Sequence, residues 1–418
     1  MGPAVLVYTS PSQFQLATNN GVISIMGYTG PGGAVIIPAS LNGLPVGDIN
    51  GSAFSGVTTV TSIFIPMSVT SIGEGAFIYC QNLTNIAVDA ANTMYGSLGG
   101  VLFDQARTTL IQFPPGLTGN YIIPDGVTDI ADYAFYDCPL AGVVFPGSVS
   151  TIGAWTFSFC SSLTSVAIPS ATTAIGEGAF SACYNLKAIN VAGDNASYSS
   201  LGGILFDKAQ TTLIQAPAVI PGSYSIPNSV TSVGPDAFLD NFNLTNLTLP
   251  YGVADIGDGA FANDTGLQNI VFSSRVAVIA DSAFSDCSSL SGIYFAGNAP
   301  SLGDDVFGSA GSYDPATVYH LPGTIGWGLT FGGLPTAPWN LPYPVIPNST
   351  PGFGLDGNQF GFTVSWATNL SVIVQATTDL ENQAWSPIST NTLSNGTFYF
   401  NDPRWTNYRS RFYRIAAP

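Results

Sequence analysis

Apolar positions along this chain recur in one phrase, L-x-x-[IV]-x-[IVLF]-P followed by V-x-x-I-G-x-x-A-F. It is fullest in LTSVAIPSATTAIGEGAFSACYN from Leu163 and LTNLTLPYGVADIGDGAFANDTG from Leu244. The alternation in the first half predicts a short strand with its apolar side chains turned inward. Pro66, Pro146, Pro169 and Pro250 follow that strand directly and stop it by removing a ladder donor. The glycine of I-G suits a tight corner. The A-F pair then closes the coil, alanine where backbones crowd and phenylalanine filling the interior.

The phenylalanines keep time. Phe54, Phe77, Phe135, Phe157, Phe180, Phe238, Phe261, Phe284 and Phe307 are separated by 23, 58, 22, 23, 58, 23, 23 and 23 residues. A period in the twenties is that of a solenoid, whose coils bury their apolar residues only against neighbouring coils. Equivalent residues of successive coils then stack as ladders about 4.8 Å apart.

The two long gaps share a second regularity. MYGSLGGVLFDQARTTLIQFPPGLTGNYIIPDGV and SYSSLGGILFDKAQTTLIQAPAVIPGSYSIPNSV match over most of their length. Phe77 to Phe180 and Phe135 to Phe238 both span 103 residues, so a supermodule is duplicated. Inside it, G-[VI]-L-F-D-x-A-x-T-T-L-I-Q predicts two strands and a polar turn, a hairpin replacing an ordinary coil. Asp104 and Asp207 then cap the two turns.

The repeated phrases TSIGEGAFIYC and TAIGEGAFSAC, with the GVLFD…TTLI insert, resemble the BspA-like bacterial leucine-rich repeats over residues ~45–310. That resemblance implies a leucine-rich-repeat solenoid with short helical or 3-10 turns, in a surface-protein family that includes adhesins and host-receptor binders. Asn241 and Asp264 depart from it, standing where other coils carry cysteine. Residues 1–50 look like the strand-rich cap that precedes such repeats, and 51–337 hold the solenoid, its hairpin inserts and its closing cap. A Pro-rich linker is expected over 338–351. Beyond it FGFTVSW, SVIVQATT, WSPISTNTL, GTFYFND and RFYRIA alternate as strands of a small C-terminal β-sandwich over 352–418. The ending NGTFYFNDPRWTNYRSRFYRI is similar to a carboxy-terminal module of secreted proteins from some environmental bacteria. The fold class expected is mainly β.

Composition narrows the partners. Only 8% of the 418 residues are charged, about a third of the usual share. Up to Asn340 there are 21 acids against Arg107, Lys187, Lys208 and Arg275, whereas the rest carries 4 of each sign; the net charge is −17. An acidic solenoid with four bases cannot track phosphates, which disfavours nucleic acid and anionic membrane. No apolar run approaches the ~18 residues of a membrane span, so no membrane insertion is expected. The opening MGPAVLVY lacks a basic n-region and a long apolar run, so no signal peptide is expected in this chain. Either a signal was removed or the protein stays inside; sparse charge with many Ser, Thr, Asn and Gly favours the first, an exported protein, extracellular or on the cell surface.

Chemistry has few places to sit. The single histidine, His320, cannot build a His-based metal cluster, and no nucleophile elbow accompanies it. Corner acids such as Glu74, Glu177, Asp255 and Asp258 come one or two per coil, without a D-x-D-x-D loop for calcium. Cys80, Cys138, Cys160, Cys183 and Cys287 each follow a ladder phenylalanine by three residues and read as buried free rungs. No metal, cofactor or catalytic residue is expected, and the chain reads as no enzyme.

What remains is the outward face of the strand ladder. Its sixteen positions, from Ser62 and Phe64 to Gly292 and Tyr294, include no charged residue. The candidate contact residues are Phe64, Asn85, Asn190, Asn246, Thr248, Asn269 and Tyr294. A smooth uncharged face with aromatics at its ends suits a protein or glycan ligand, in a non-enzymatic binding or adhesion protein. The alternative is a structural subunit that self-associates into a surface layer or filament.

Overall fold

A computed structural model describes residues 8–220, 222–309, 316–339 and 346, and then 353–356, 359–365, 370–380, 384–393 and 396–416. Most of the expected linker lies outside them. The chain divides into two compact units, Met1–Ile220 with Gly234–Asn241 and Pro221–Val233 with Phe242–Pro418. Among the described residues helix is confined to two 3-10 turns, Pro11–Gln13 and Trp405–Asn407.

Each coil carries a strand of three to six residues, a short two-residue strand and a corner. Short strands stack in parallel, Asp129–Ile130 on Thr151–Ile152 on Ala174–Ile175 in the first unit. In the second unit the stack is Ser232–Val233, Asp255–Ile256, Val278–Ile279 and Ser301–Leu302. Corners close by i→i+3 bonds such as Ala76 N to Gly73 O (3.2 Å) and Leu83 N to Cys80 O (2.8 Å). This is 3-10 bonding that never propagates, because the next apolar residue must return to the interior. The I-G glycine answers to crowding. A β-carbon at Gly153 or Gly303 would stand 2.5 Å from the backbone nitrogen of Asp132 or Asp281, one coil back.

All nine ladder phenylalanines are buried. Phe135, Phe157 and Phe180 stack at 4.8 and 5.5 Å, and Phe261, Phe284 and Phe307 at 5.0 and 5.8 Å. Two further rungs lack the A-F phrase. Tyr28 of the first strands stacks on Phe54 at 5.5 Å, so one core runs from Phe14 to Leu102. Phe113, inside the first insert, stacks on Phe135 at 5.1 Å.

The inserts are a hairpin plus most of a coil. Tyr95–Leu98, Val101–Asp104 and Thr109–Gln112 pair antiparallel in succession, and the last then pairs in parallel with Asp129–Ile130. Asp104 accepts from Thr109 N and Thr108 Oγ1 (both 2.8 Å), and Asp207 makes the same turn cap. A buried asparagine locks each insert to the preceding coil. Asn92 donates to Pro66 O and Val69 O and accepts from Met94 N and Tyr95 N; Asn195 repeats all four bonds in the second copy.

The cysteines are free and buried. Each thiol points at a carbonyl one coil back, as Cys80 does at Phe54 O (2.9 Å) and Cys183 at Phe157 O (3.0 Å). Burial pushes Cys80 up to about 11 and Cys183 up to about 12.

Corners also demand left-handed backbone two residues before and two residues after the ladder phenylalanine. Glycine, Asn, Asp or Ser fills most of these sites, including Gly75, Gly178, Asp236, Asp240, Asn263, Asp286 and Ser309. Tyr79, Tyr133, Trp155 and Phe159 do so as well, at φ of 60°, 59°, 54° and 62°. A bulky side chain there costs about 1–2 kcal/mol.

In the tail the five expected strands appear, with Phe353–Asp356 as a sixth. They form two three-stranded antiparallel sheets around Phe362, Val364, Val372, Val374, Leu393 and Phe400. Asp402 ties this sandwich, pairing with Arg411 Nε at 2.8 Å and accepting from Tyr413 Oη at 2.9 Å.

Candidate functional site

The seven candidate residues do not share one sheet. In the first unit the long strands form three separate sheets. Gly33–Ile36, Val60–Ile65 and Asn85–Val88 make one, Gly119–Ile122 with Leu140–Val144 a second, and Ser165–Ile168 with Ala188–Val191 a third. The inserts end two of the three sheets. Ile86 N donates to Gly100 O and Ile189 N to Gly203 O, both 2.8 Å, so a hairpin turn takes the edge the next strand would use. Phe64 and Asn85 thus lie on one patch and Asn190 on another.

In the second unit the strands continue as one seven-stranded sheet, and it gathers the other four candidates. Ser223, Asn246, Asn269, Gly292 and Thr317 fall in one cross-strand row. Val271, Tyr294, Tyr319 and Ala337 fall in a second, and Ser225 pairs with Thr248 beside it. Asn246, Thr248, Asn269 and Val271 are exposed, and none of these residues is charged.

Two aromatics here escaped the sequence reading. Tyr319 stacks on Tyr294 at 4.9 Å and 12°, and Trp339 leans on Tyr294 at 5.1 Å and 49°. The strand Thr317–His320 departs from the usual phrase, with His320 in the last apolar place, the proline one residue late at Pro322, and no A-F pair to mark its coil. That trailing proline was the available signal. Gly292 holds the platform open. A β-carbon there would meet Asn269 Oδ1 at 2.5 Å and the Tyr294 hydroxyl at 2.7 Å, so the ring lies across bare backbone toward the amide. Burial, and then the neighbouring Tyr319, raise the Tyr294 hydroxyl above its usual pKa. It stays protonated at neutral pH and able to donate.

The other candidate chemistry has structural employment. His320 lies flat on Trp327 at 5.0 Å and 6°, with its Nδ1 3.5 Å from Thr324 Oγ1. Corner carboxylates staple coils together. Asp132 accepts from Ala154 N (2.7 Å), Asp258 from Asp281 N (3.1 Å) and Asp281 from Asp304 N (2.7 Å). Among the described residues no group of three or more His, Cys, Asp or Glu is placed to hold a metal, and no helix is long and apolar enough to cross a membrane. A tail cavity of about 430 Å³ is bordered by Thr377, Asp379, Tyr408 and Arg411, but Asp402 already satisfies that arginine's charge.

Comparison with known proteins agrees with this architecture. A leucine rich cell surface protein of Faecalibacterium prausnitzii A2-165 is similar at 27% identity and a TM-score of 0.50, over 76% of this chain and 89% of that one. A leucine-rich repeat protein of Eubacterium ventriosum shares 24% identity over 75% of this chain and 77% of that one, at a TM-score of 0.47. A search of curated protein sequences returned no match. Six copies of the BspA type leucine rich repeat region match residues 44–119, 116–218 and 222–318. With that span and the stacked coils, the chain belongs to the BspA type leucine-rich repeat family.

Proposed function

We propose that this is a non-enzymatic binding or adhesion protein of the cell surface or extracellular space. Its principal contact surface is the outer face of the seven-stranded sheet, and its ligand a protein or glycan. One observation carries the reading: Asn246, Thr248 and Asn269 stand exposed beside the Tyr294, Tyr319 and Trp339 platform with no charge among them. Rigid rings offer contact area at small entropic cost, and amides and hydroxyls bond polar partners without a charge to desolvate. The cell-surface relative in Faecalibacterium supports the location. Phe64, Asn85 and Asn190 serve as smaller accessory patches.

Substituting Asn246→Lys together with Asn269→Lys tests the reading. Both side chains are exposed on paired strands, so the melting temperature should hold. Binding of the labelled protein to a glycan array and to immobilised extracellular-matrix proteins should disappear. Unchanged binding by a folded double variant would remove this face from the function, and ordered polymers of the parent by electron microscopy would favour a self-assembling subunit instead.

A further inference from the structure

We propose that the corner side of the first unit is a second contact surface, an acidic aromatic ridge that receives lysine and arginine side chains of a partner protein. Its rings are Tyr79, Tyr133, Tyr136, Trp155 and Phe159, from the three coils built on Phe77, Phe135 and Phe157. Tyr136 meets Tyr79 edge-on at 5.3 Å and lies tilted against Tyr133 at 5.6 Å and Phe159 at 5.4 Å. The Tyr79 and Tyr136 hydroxyls share a 2.9 Å hydrogen bond. Trp155 lies against the next coil at Gly178, where a β-carbon would come within 2.8–3.0 Å of the indole. Tyr79 is 38% exposed and the other four rings are half-buried, so none is a core residue.

The backbone gives the reason to look here. Four of the five rings occupy left-handed positions that other coils fill mostly with Gly, Asn, Asp or Ser. A fold that needed only its corners would use those residues throughout. All four aromatic exceptions fall in three consecutive ladder coils, and strained backbone kept in one place is a reason to seek a function.

Charge chooses the occupant. The corners 72–82, 130–139 and 152–161 contain Glu74, Asp132 and Asp137 and no base, and Glu177 adjoins Trp155 from the next coil. The carboxylates of Asp132, Glu74 and Glu177 are near enough to Tyr133 to help burial raise its hydroxyl pKa. Ring faces and carboxylates both attract a cation, and the planar guanidinium of arginine can stack on a ring while bonding a neighbouring carboxylate.

The test titrates the full chain with a fluorescein-labelled octa-arginine peptide, read by anisotropy at low and physiological salt. Tyr79→Asn with Phe159→Asn removes two rings, leaves the charge unchanged and installs a residue that suits left-handed backbone. The double variant should bind the peptide about tenfold more weakly, with a melting temperature equal to or above the parent's. Peptide affinity equal to the parent's would mean that net charge alone attracts the probe, and would overturn the ridge. A neutral glucan hexamer that binds the parent and is lost in the double variant, while the peptide is not, would assign the ridge to glycans instead. If the double variant unfolds, Glu74→Gln with Glu177→Gln keeps every ring and alters exposed carboxylates only. Peptide binding severalfold weaker than that of the equally charged Asp255→Asn with Asp304→Asn variant, whose exposed acids lie in other coils, would then support the ridge, and equal binding by the two would refute it.

Discussion

Replacing Phe157 by alanine probes the solenoid at a fully enclosed rung. The ring is fully buried between Phe135, at 4.8 Å and 14°, and Phe180, at 5.5 Å and 6°, with Phe145 edge-on at 5.7 Å. Truncating a buried phenylalanine costs about 3–5 kcal/mol, because neighbours collapse only partly into the space. Here both flanking rings belong to other coils whose backbones are pinned by parallel strands, so little collapse is available. The loss should reach the upper end, about 5 kcal/mol, including two stacked ring contacts of about 0.5–1.5 kcal/mol each. That is a large share of a typical domain's stability of about 5–15 kcal/mol. Urea titration followed by tryptophan fluorescence and near-ultraviolet circular dichroism reads it as a shift in midpoint. Phe157→Leu is the control, keeping most of the volume and losing only about 1–2 kcal/mol. A loss below about 1 kcal/mol for the alanine variant, or equal losses for both variants, would refute the account of the rung as an unyielding cavity.

Two further outcomes follow from buried polar groups. Asn195→Ala strands two carbonyls and two N–H groups between the second insert and its coil, so it should cost about 4 kcal/mol or more in the same titration; less than about 1 kcal/mol would mean that water reaches them. The thiols have folded-state pKa values raised above the ordinary 9.0, to about 11 for Cys80 and about 12 for Cys183. Their stabilisation is intact below pH 9 and lost as pH rises toward 12, since the unfolded chain releases those protons first. The melting temperature should fall across that window, and the native protein should resist thiol titration at pH 8 while denatured protein shows five free thiols. A flat profile, or fewer than five thiols after denaturation, would contradict the buried rungs.

The chain's own pattern determined the coil. A period of 23 residues, an alternating strand and a phenylalanine behind alanine leave one way to bury that apolar surface, which is to stack. Duplication of the 103-residue supermodule was legible for the same reason, because hairpin turns and their Asp104 and Asp207 caps are local chemistry. The rungs Tyr28 and Phe113 were hidden, since their interior places come from folded position and not from the A-F phrase. Continuity of the outer face was decided by tertiary structure alone. Whether Asn85 and Asn190 have a following strand depends on where the Gly100 and Gly203 turns dock, which is a contact between segments far apart in the repeat. The same holds for the platform: Tyr294, Tyr319 and Trp339 look like unrelated aromatics until parallel register sets them side by side. Side-chain alternation is a local property that a sequence displays. Which strand becomes the neighbour is settled by chain closure over many residues, and only the folded backbone records it.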